Sequence, residues 1–386
     1  MPPKYSTAFR PILHLLTRLS LRFEFRVDDV SISGLESVTH LAREGHSVLV
    51  APNHADHADP GLMVTAARRG GFAFHFMAAR EGFERHRIHQ WVLQKSGAFS
   101  INREGGDLAS IKMAIKTLQE GRFPLVIFPE GEIYHHMESL DELNEGVASI
   151  ALRASAKLPE GKRGYVVPAS IVLKHDPGVE ASFSERLSAL EERITLKPRI
   201  DASPVDRILS LGSTLLAIKE EEFLGASRQG ELVERIQYLR ESIVSEVEGW
   251  HGLSKIEPTM PKRVKALRAL IRKELTEGKQ PPSEERTREL YDHLDRIFVA
   301  HQLYSYPGTY LKAQPTVDRI AETIFKLEED VVGKARYLGK RHAAVTFGEP
   351  IEIGAFLKAN ELNGKTAVQP LTQHIRERIQ NLLPGE

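Results

Sequence analysis

The chain has 386 residues, 41% hydrophobic and 27% charged, with Gly 28 and Pro 21. That balance excludes disordered, collagen-like and low-complexity chains and leaves a globular protein with a sizeable core. Lys+Arg 52 offsets Asp+Glu 52, so no global positive field argues for nucleic acid. Cys 0 removes disulfides, thiol catalysis and cysteine-based zinc sites, and suits a reducing compartment.

In chain order, residues 9–21 read as an amphipathic helix. Phe9, Ile12, Leu13, Leu16 and Leu19 form its apolar stripe, and Arg10, His14, Arg18 and Arg22 recur on the other side. Such a helix fits a bilayer interface, apolar face down, or equally caps a core. No run reaches the ~20 apolar residues of a membrane span, and His14 and Arg18 interrupt the N-terminal apolar stretch as a signal peptide. The expectation is a cytoplasmic protein associated peripherally with the membrane.

From residue 22 the period switches to two, with Phe23, Phe25 and Val27 alternating with Arg22, Glu24 and Arg26, which predicts a first strand. Strands at 47–52, 72–78, 98–102, 124–128 and 165–172 then alternate with helices at 60–68, 83–95, 107–119 and 145–156. This order predicts an α/β fold, a largely parallel sheet flanked by helices. From residue 201 to 336 only helical stripes follow, led by Ser203-Pro204 and by Leu232, Ile236 and Leu239. Strand grammar returns at 343–347 and 350–353, before a last helix at 372–383. The predicted domains are the N-terminal helix (1–21), a first α/β part (22–200), an all-helical insertion (201–336) and the closing α/β part (337–386). Within the insertion, Lys262, Arg263, Lys265, Arg268, Arg272, Lys273 and Lys279 make a basic run suited to an acidic partner or to a solvated face.

The loop after the 47–52 strand reads Asn53-His54-Ala55-Asp56-His57-Ala58-Asp59. Loops beyond the carboxyl ends of parallel strands are where α/β proteins place their sites. His54 can act as a general base with Asp59 orienting it. Alternatively His54, Asp56, His57 and Asp59 ligate a metal, as in a metal-dependent phosphoesterase. A third reading has Asp59 merely cap the next helix. His-x4-Asp arises by chance in roughly every second such chain, and His136 with Asp141 also fits it, but with no strand directly before. The first match has better company. Phe128-Pro129-Glu130-Gly131 follows a later strand, Gly97-Ala98-Phe99-Ser100-Ile101-Asn102-Arg103 lies between, and Val167-Pro168 sits in a further strand.

This ordered set resembles the glycerolipid acyltransferase family, typified by 1-acyl-sn-glycerol-3-phosphate acyltransferases. The resemblance covers roughly residues 20–175 and 340–385. It implies an O-acyltransferase without metal or other cofactor. Its donor would be acyl-CoA or an acyl-carrier protein, its acceptor a lysophospholipid or glycerol phosphate, and its setting the membrane surface. His54 and Asp59 would be catalytic, and Asn53, Arg103, Glu130, Gly131 and Pro168 would form the substrate-binding set, with Arg103 on the acceptor phosphate. Where the family usually has Thr-Arg after Phe-Pro-Glu-Gly, this chain has Glu132-Ile133. That replaces a positive charge by a negative one. It leaves phosphate recognition to Arg103 and to other bases such as Arg80, Arg85, Arg87 or His135, or implies a different acceptor. An inactive membrane-binding scaffold is the remaining alternative.

Overall fold

The computed structural model describes every residue except 85, 103–106, 195–196, 255–256, 258, 278–281, 307–308, 338 and 385–386. The chain divides into two compact units, one made of Met1–Arg103, Asp107–Val179 and Tyr337–Glu386, the other of Glu180–Arg336.

The first unit begins with α1 (Arg10–Leu19), which does not give way to a strand. A π-helical turn over Ser20–Glu24 continues it, with Phe25 N–H donating to Ser20 O at 3.0 Å. Six residues alternating by two also satisfy a helical spacing of four, and here the helical period wins. Phe23 joins an exposed stripe, whereas Phe25 turns inward, its ring 5.5 Å from that of Tyr337. The stripe itself is shifted from its predicted membership. Phe9 is buried against Trp91 and Leu13 is half-buried, while Leu15 is exposed beside Ile12, Leu16 and Leu19.

The first strand, β1, spans Val27–Ser33. The chain continues through α2 (Leu35–Arg43), β2 (Ser47–Pro52), α3 (Asp59–Gly70), β3 (His75–Ala79), α4 (Arg80–Glu84) and α5 (Arg87–Lys95). There follow β4 (Ala98–Ile101), α6 (Leu108–Glu120), β5 (Leu125–Val126), α7 (Gly146–Ser155) and β6 (Gly164–His175).

In the second unit, α8 (Phe183–Arg193), α9 (Pro204–Leu224), α10 (Leu232–Trp250), α11 (Met260–Glu277), α12 (Glu284–Tyr304), α13 (Tyr310–Ala313) and α14 (Val317–Val332) follow one another. The first-turn sequences Val205-Asp206-Arg207-Ile208 and Val233-Glu234-Arg235-Ile236 stand 28 residues apart, and Arg263 follows after another 28. Each of these arginines reaches back to a buried glutamate on the preceding helix: Arg207 to Glu191, Arg235 to Glu220 and Arg263 to Glu248, each at 2.7 Å. The repeat is thus a helix joined to the next by a desolvated ion pair. Arg263, part of the predicted basic run, is consumed by it and is no surface charge.

The chain returns to the first unit with β7 (Arg341–Phe347), β8 (Ile351–Glu352), α15 (Ile353–Ala359) and α16 (Val368–Gln380). The sheet order is β1-β7-β6-β2-β5-β3-β4, with β8 also on β6. All pairings are parallel except β6 with β7 and with β8. Central strands of such a sheet are buried on both faces and read as unbroken apolar runs. β2 does: Val48 and Val50 enter one core with Leu62 and Met63 of α3, whereas Leu49 and Ala51 enter another with Ala148 of α7 and Leu371 of α16. The predicted largely parallel α/β sheet is therefore the fold of this unit.

Candidate functional site

β2 and β5 are adjacent and parallel, with Val50 opposite Val126. Four residues further on, that register sets His54 against Glu130, beyond the carboxyl ends of the two central strands. The backbone N–H of His54 donates to Glu130 Oε1 at 2.7 Å. The two sequence blocks thus meet because of sheet order, not sequence proximity.

Asp59 opens α3 and is 1% exposed. Its Oδ2 accepts from His54 Nδ1 at 2.9 Å and from the N–H groups of Ala55 and Asp56 at 3.0 Å each. It does not cap its own helix, whose N-cap is Ala58 with no side-chain bond. Burial pushes the Asp59 carboxyl above its usual range, against the hydrogen bond and charge of His54. A proton on Nδ1 facing this carboxyl leaves Nε2 of His54 with the lone pair. The imidazole lies at 4.0 Å, nearly parallel, over the Phe128 ring, and its side chain is 15% exposed. One face is held and the ring still reaches the surface.

The other two members of the proposed metal cluster point elsewhere. Asp56 is 1% exposed and receives Arg341 Nη1 at 2.7 Å and the Ala58 N–H at 2.8 Å. Burial alone would raise its carboxyl, but the charge and hydrogen bond of Arg341 hold it below the usual value. Arg341 is fully buried and also donates twice to Phe25 O, at 2.7 and 2.9 Å. A guanidinium therefore already occupies Asp56. His57 is exposed, its ring 6.0 Å from that of His135.

Glu130 is 5% exposed, and its Oε2 accepts from the Asp141 N–H at 3.3 Å. Burial pushes its carboxyl up to about 8; the N–H of His54 opposes this, and the nearby charges of Asp141 and Asp59 add to it. Gly131 has φ 80°, and a Cβ there would stand 2.8 Å from Asn144 Nδ2, so the turn accepts only glycine. That amide binds the carbonyls of Pro129 and Glu130 at 3.2 and 3.0 Å. The second His-x4-Asp pair, set aside on sequence grounds, lies close by: His136 Nδ1 is 3.7 Å from Asp141 Oδ2.

Asn53 is 1% exposed and spends both ends of its amide on Ile171 of β6, at 3.0 and 2.7 Å. Pro168 pairs with Ala51, and its carbonyl accepts from Gly348 N–H at 2.8 Å. Arg103, the expected phosphate contact, lies outside the described residues, as does Arg85. Arg80 is engaged by Glu84 at 2.8 Å. Sequence reasoning missed Arg341, whose partner is 285 residues away. The only trace in the sequence is an arginine at the mouth of an apolar strand.

Residues 29–172 match the protein family described as acyltransferase. Over 111 residues the chain is 33% identical to a 1-acyl-sn-glycerol-3-phosphate acyltransferase of Streptococcus pneumoniae, a match covering 29% of this chain and 39% of that protein. The chain thus spans about two fifths of the length of this curated relative.

Proposed function

We propose, from the match of residues 29–172 to the acyltransferase family and the similarity to a 1-acyl-sn-glycerol-3-phosphate acyltransferase, that the chain moves a fatty acyl group from a thioester to the hydroxyl of a glycerolipid-type acceptor. The donor is acyl-CoA or an acyl-carrier protein, and the acceptor a lysophospholipid or glycerol phosphate. The observation that carries this reading is the 2.9 Å contact of His54 Nδ1 with Asp59 at the end of a central strand.

In the proposed reaction, His54 Nε2 takes the proton of the acceptor hydroxyl as its oxygen attacks the thioester carbonyl. The tetrahedral intermediate expels the thiolate, which recovers a proton from the imidazolium, so the products are an ester and a free thiol. Asp59 keeps the ring in one tautomer and stabilises its cationic form. A thioester is already activated, so a base, proximity and a partly desolvated site supply what the step requires.

Glu130 acts in this scheme by fixing the His54 backbone, and Asn53 by aligning β2 with β6. Gly131 shapes the turn that presents Glu130. Arg103 is assigned the acceptor phosphate on the sequence resemblance. Acceptors with long acyl chains reside in bilayers, and among the described residues no helix is long and apolar enough to cross one. As part of the same proposal, the protein works peripherally on the cytoplasmic surface of the membrane.

An acceptor screen with radiolabelled acyl-CoA and acyl-carrier protein, read by chromatography, tests the proposal. Labelled glycerolipid that disappears in His54→Ala supports it. No labelled ester from any lysophospholipid or glycerol phosphate overturns it.

A further inference from the structure

α1 lies on α3 through a small-residue notch. A Cβ on Gly61 would come within 3.2 Å of Leu21 Cδ2 and 3.5 Å of Thr17 Cγ2, so the glycine gives this close approach its room. The contact fixes which face of α1 looks outward. Ile12, Leu15, Leu16, Leu19 and Phe23 lie on that face, at i, i+3, i+4, i+7 and i+11, between 43% and 67% exposed. Five large apolar side chains on one outward stripe exceed the scattered exposure that an ordinary surface shows.

Beside the stripe is a cavity of about 390 Å³ lined by Arg10, Pro11, His14, Leu15 and Arg18 of α1 and by Arg68 of α3. Its size falls within the ~300–1,000 Å³ of small-ligand pockets. No carboxylate lines it. Arg10 donates to Phe72 O at 2.8 Å. Among the described residues the side chains of His14, Arg18 and Arg68 form no hydrogen bond or ion pair. Elsewhere in the chain arginines are matched with acids, as Arg207, Arg235, Arg263 and Arg341 are. Three guanidinium groups around one hollow repel one another. Burial and the charges of Arg10 and Arg68 hold the His14 imidazole below its usual pKa.

We infer that this cavity is a binding site for the phosphate headgroup of an anionic phospholipid in a bilayer, with the α1 stripe entering the acyl region beside it. Charge complementarity selects the occupant, since guanidinium forks match phosphate oxygens. Leu15 selects the setting. It belongs both to the cavity wall and to the exposed stripe, so a headgroup in the cavity directs its chains along the apolar face. A soluble phosphate would leave that face in water. The site is separate from His54, and the inference rests on the proposed reading only in supposing a membrane-borne acceptor.

The test is sedimentation of the full chain with vesicles of phosphatidylcholine, with and without phosphatidylglycerol, in the absence of any acyl donor. Failure of the acyltransferase reading would leave this binding result untouched. Arg18→Gln with Arg68→Gln should weaken binding to the anionic vesicles by about 30-fold, from two basic contacts at an anionic surface. Lys112→Gln with Lys116→Gln, an equal charge loss on exposed positions of α6, should change it less than about twofold. Leu15→Ser with Leu19→Ser should weaken binding while leaving the arginines in place. Equal losses from the two charge variants would reveal a general charge effect and overturn the site, as would unaltered binding of Arg18→Gln with Arg68→Gln. Thermal unfolding of each variant confirms that it is folded.

Discussion

Replacing Arg341 by Met is the sharpest perturbation of the candidate site that touches no reacting group. Arg341 and Asp56 are 0% and 1% exposed and joined at 2.7 Å. The substitution leaves the Asp56 carboxylate buried with the Ala58 N–H still donating to it at 2.8 Å, and leaves Phe25 O without its two guanidinium bonds. Breaking one side of a buried ion pair costs ~3–5 kcal/mol. Removing both sides, Arg341→Met with Asp56→Leu, should recover most of that loss, because apolar replacement of a whole buried pair is often neutral. Because Asp56 ionises below its usual value in the folded protein, its contribution is present above the unfolded-state pKa of ~4 and lost as pH falls through the folded value. The single variant should therefore lose most stability at neutral pH and little in acid. Urea unfolding in a Trp250→Phe background provides the assay, since Trp91 then reports the first unit alone. The His54 loop would shift as well, and a misplacement of about 1 Å can cost ~10²-fold in turnover. A destabilisation under about 1 kcal/mol at neutral pH, with kcat unchanged, would refute the role given to this pair.

His54→Ala should lower kcat by ~10²–10⁴-fold with the circular dichroism spectrum retained. His136→Ala, whose pair stands beside Glu130, should cost less than about tenfold; the reverse ranking would mean that the base has been misassigned. Glu130 titrates in the folded protein near 8, above its ordinary 4.5, so the folded state holds the extra proton in between. Stability should fall by about 5 kcal/mol as pH rises across that window, and Glu130→Gln should flatten the decline in urea titrations at several pH values. Arg103→Ala should raise KM for a phosphorylated acceptor and leave KM for an unphosphorylated one alone; equal effects on both would remove the phosphate assignment.

Legibility followed the range of the interactions. The strand-loop-helix around His54 could be read because β2 is apolar throughout and Pro60 opens the next helix, both short-range signals. Meeting of the His54 and Glu130 blocks was implied by the family resemblance but not by the sequence pattern, because it depends on β2 and β5 being neighbours. The strand expected at 22–27 failed where two periods fit six residues equally and the contact of α1 with α3 decided between them. β1 was missed because an irregularity between Val27 and Asp29 breaks its period, leaving only Val30 and Ile32 to alternate with Ser31 and Ser33. α2, nine residues entered through a left-handed Gly34, offered too short a stripe. The ion-pair repeat of the second unit was visible as recurring Val-Asp/Glu-Arg-Ile segments, but a reading by apolar stripes passes over charged residues.

The spacing of the Asn-His-x4-Asp block has a physical reason in the backbone of its loop. Residues 53–58 lie between β2 and α3, in buried surroundings where an unpaired N–H costs about as much as a lost hydrogen bond. No ladder or helix supplies acceptors there, and side-chain carboxyl oxygens do so instead. Glu130 takes the N–H of His54, Asp59 those of Ala55 and Asp56, and Asp56 that of Ala58. An acid at the first turn of α3 points back over the loop and reaches residues three and four before it. The imidazole one residue earlier then falls on the same Oδ2. Shortening the gap by one residue would turn the acid a third of a turn away along the helix. The same oxygen therefore closes the loop and orients the proposed base, so the geometry of the base and the stability of the loop are one constraint. Asp59→Asn tests that union: one amide oxygen can still take the two N–H groups, but His54 then loses its anionic partner. Turnover should fall by ~10²–10⁴-fold while urea stability drops by less than about 2 kcal/mol. Loss of both in proportion would mean that Asp59 serves only to hold the loop.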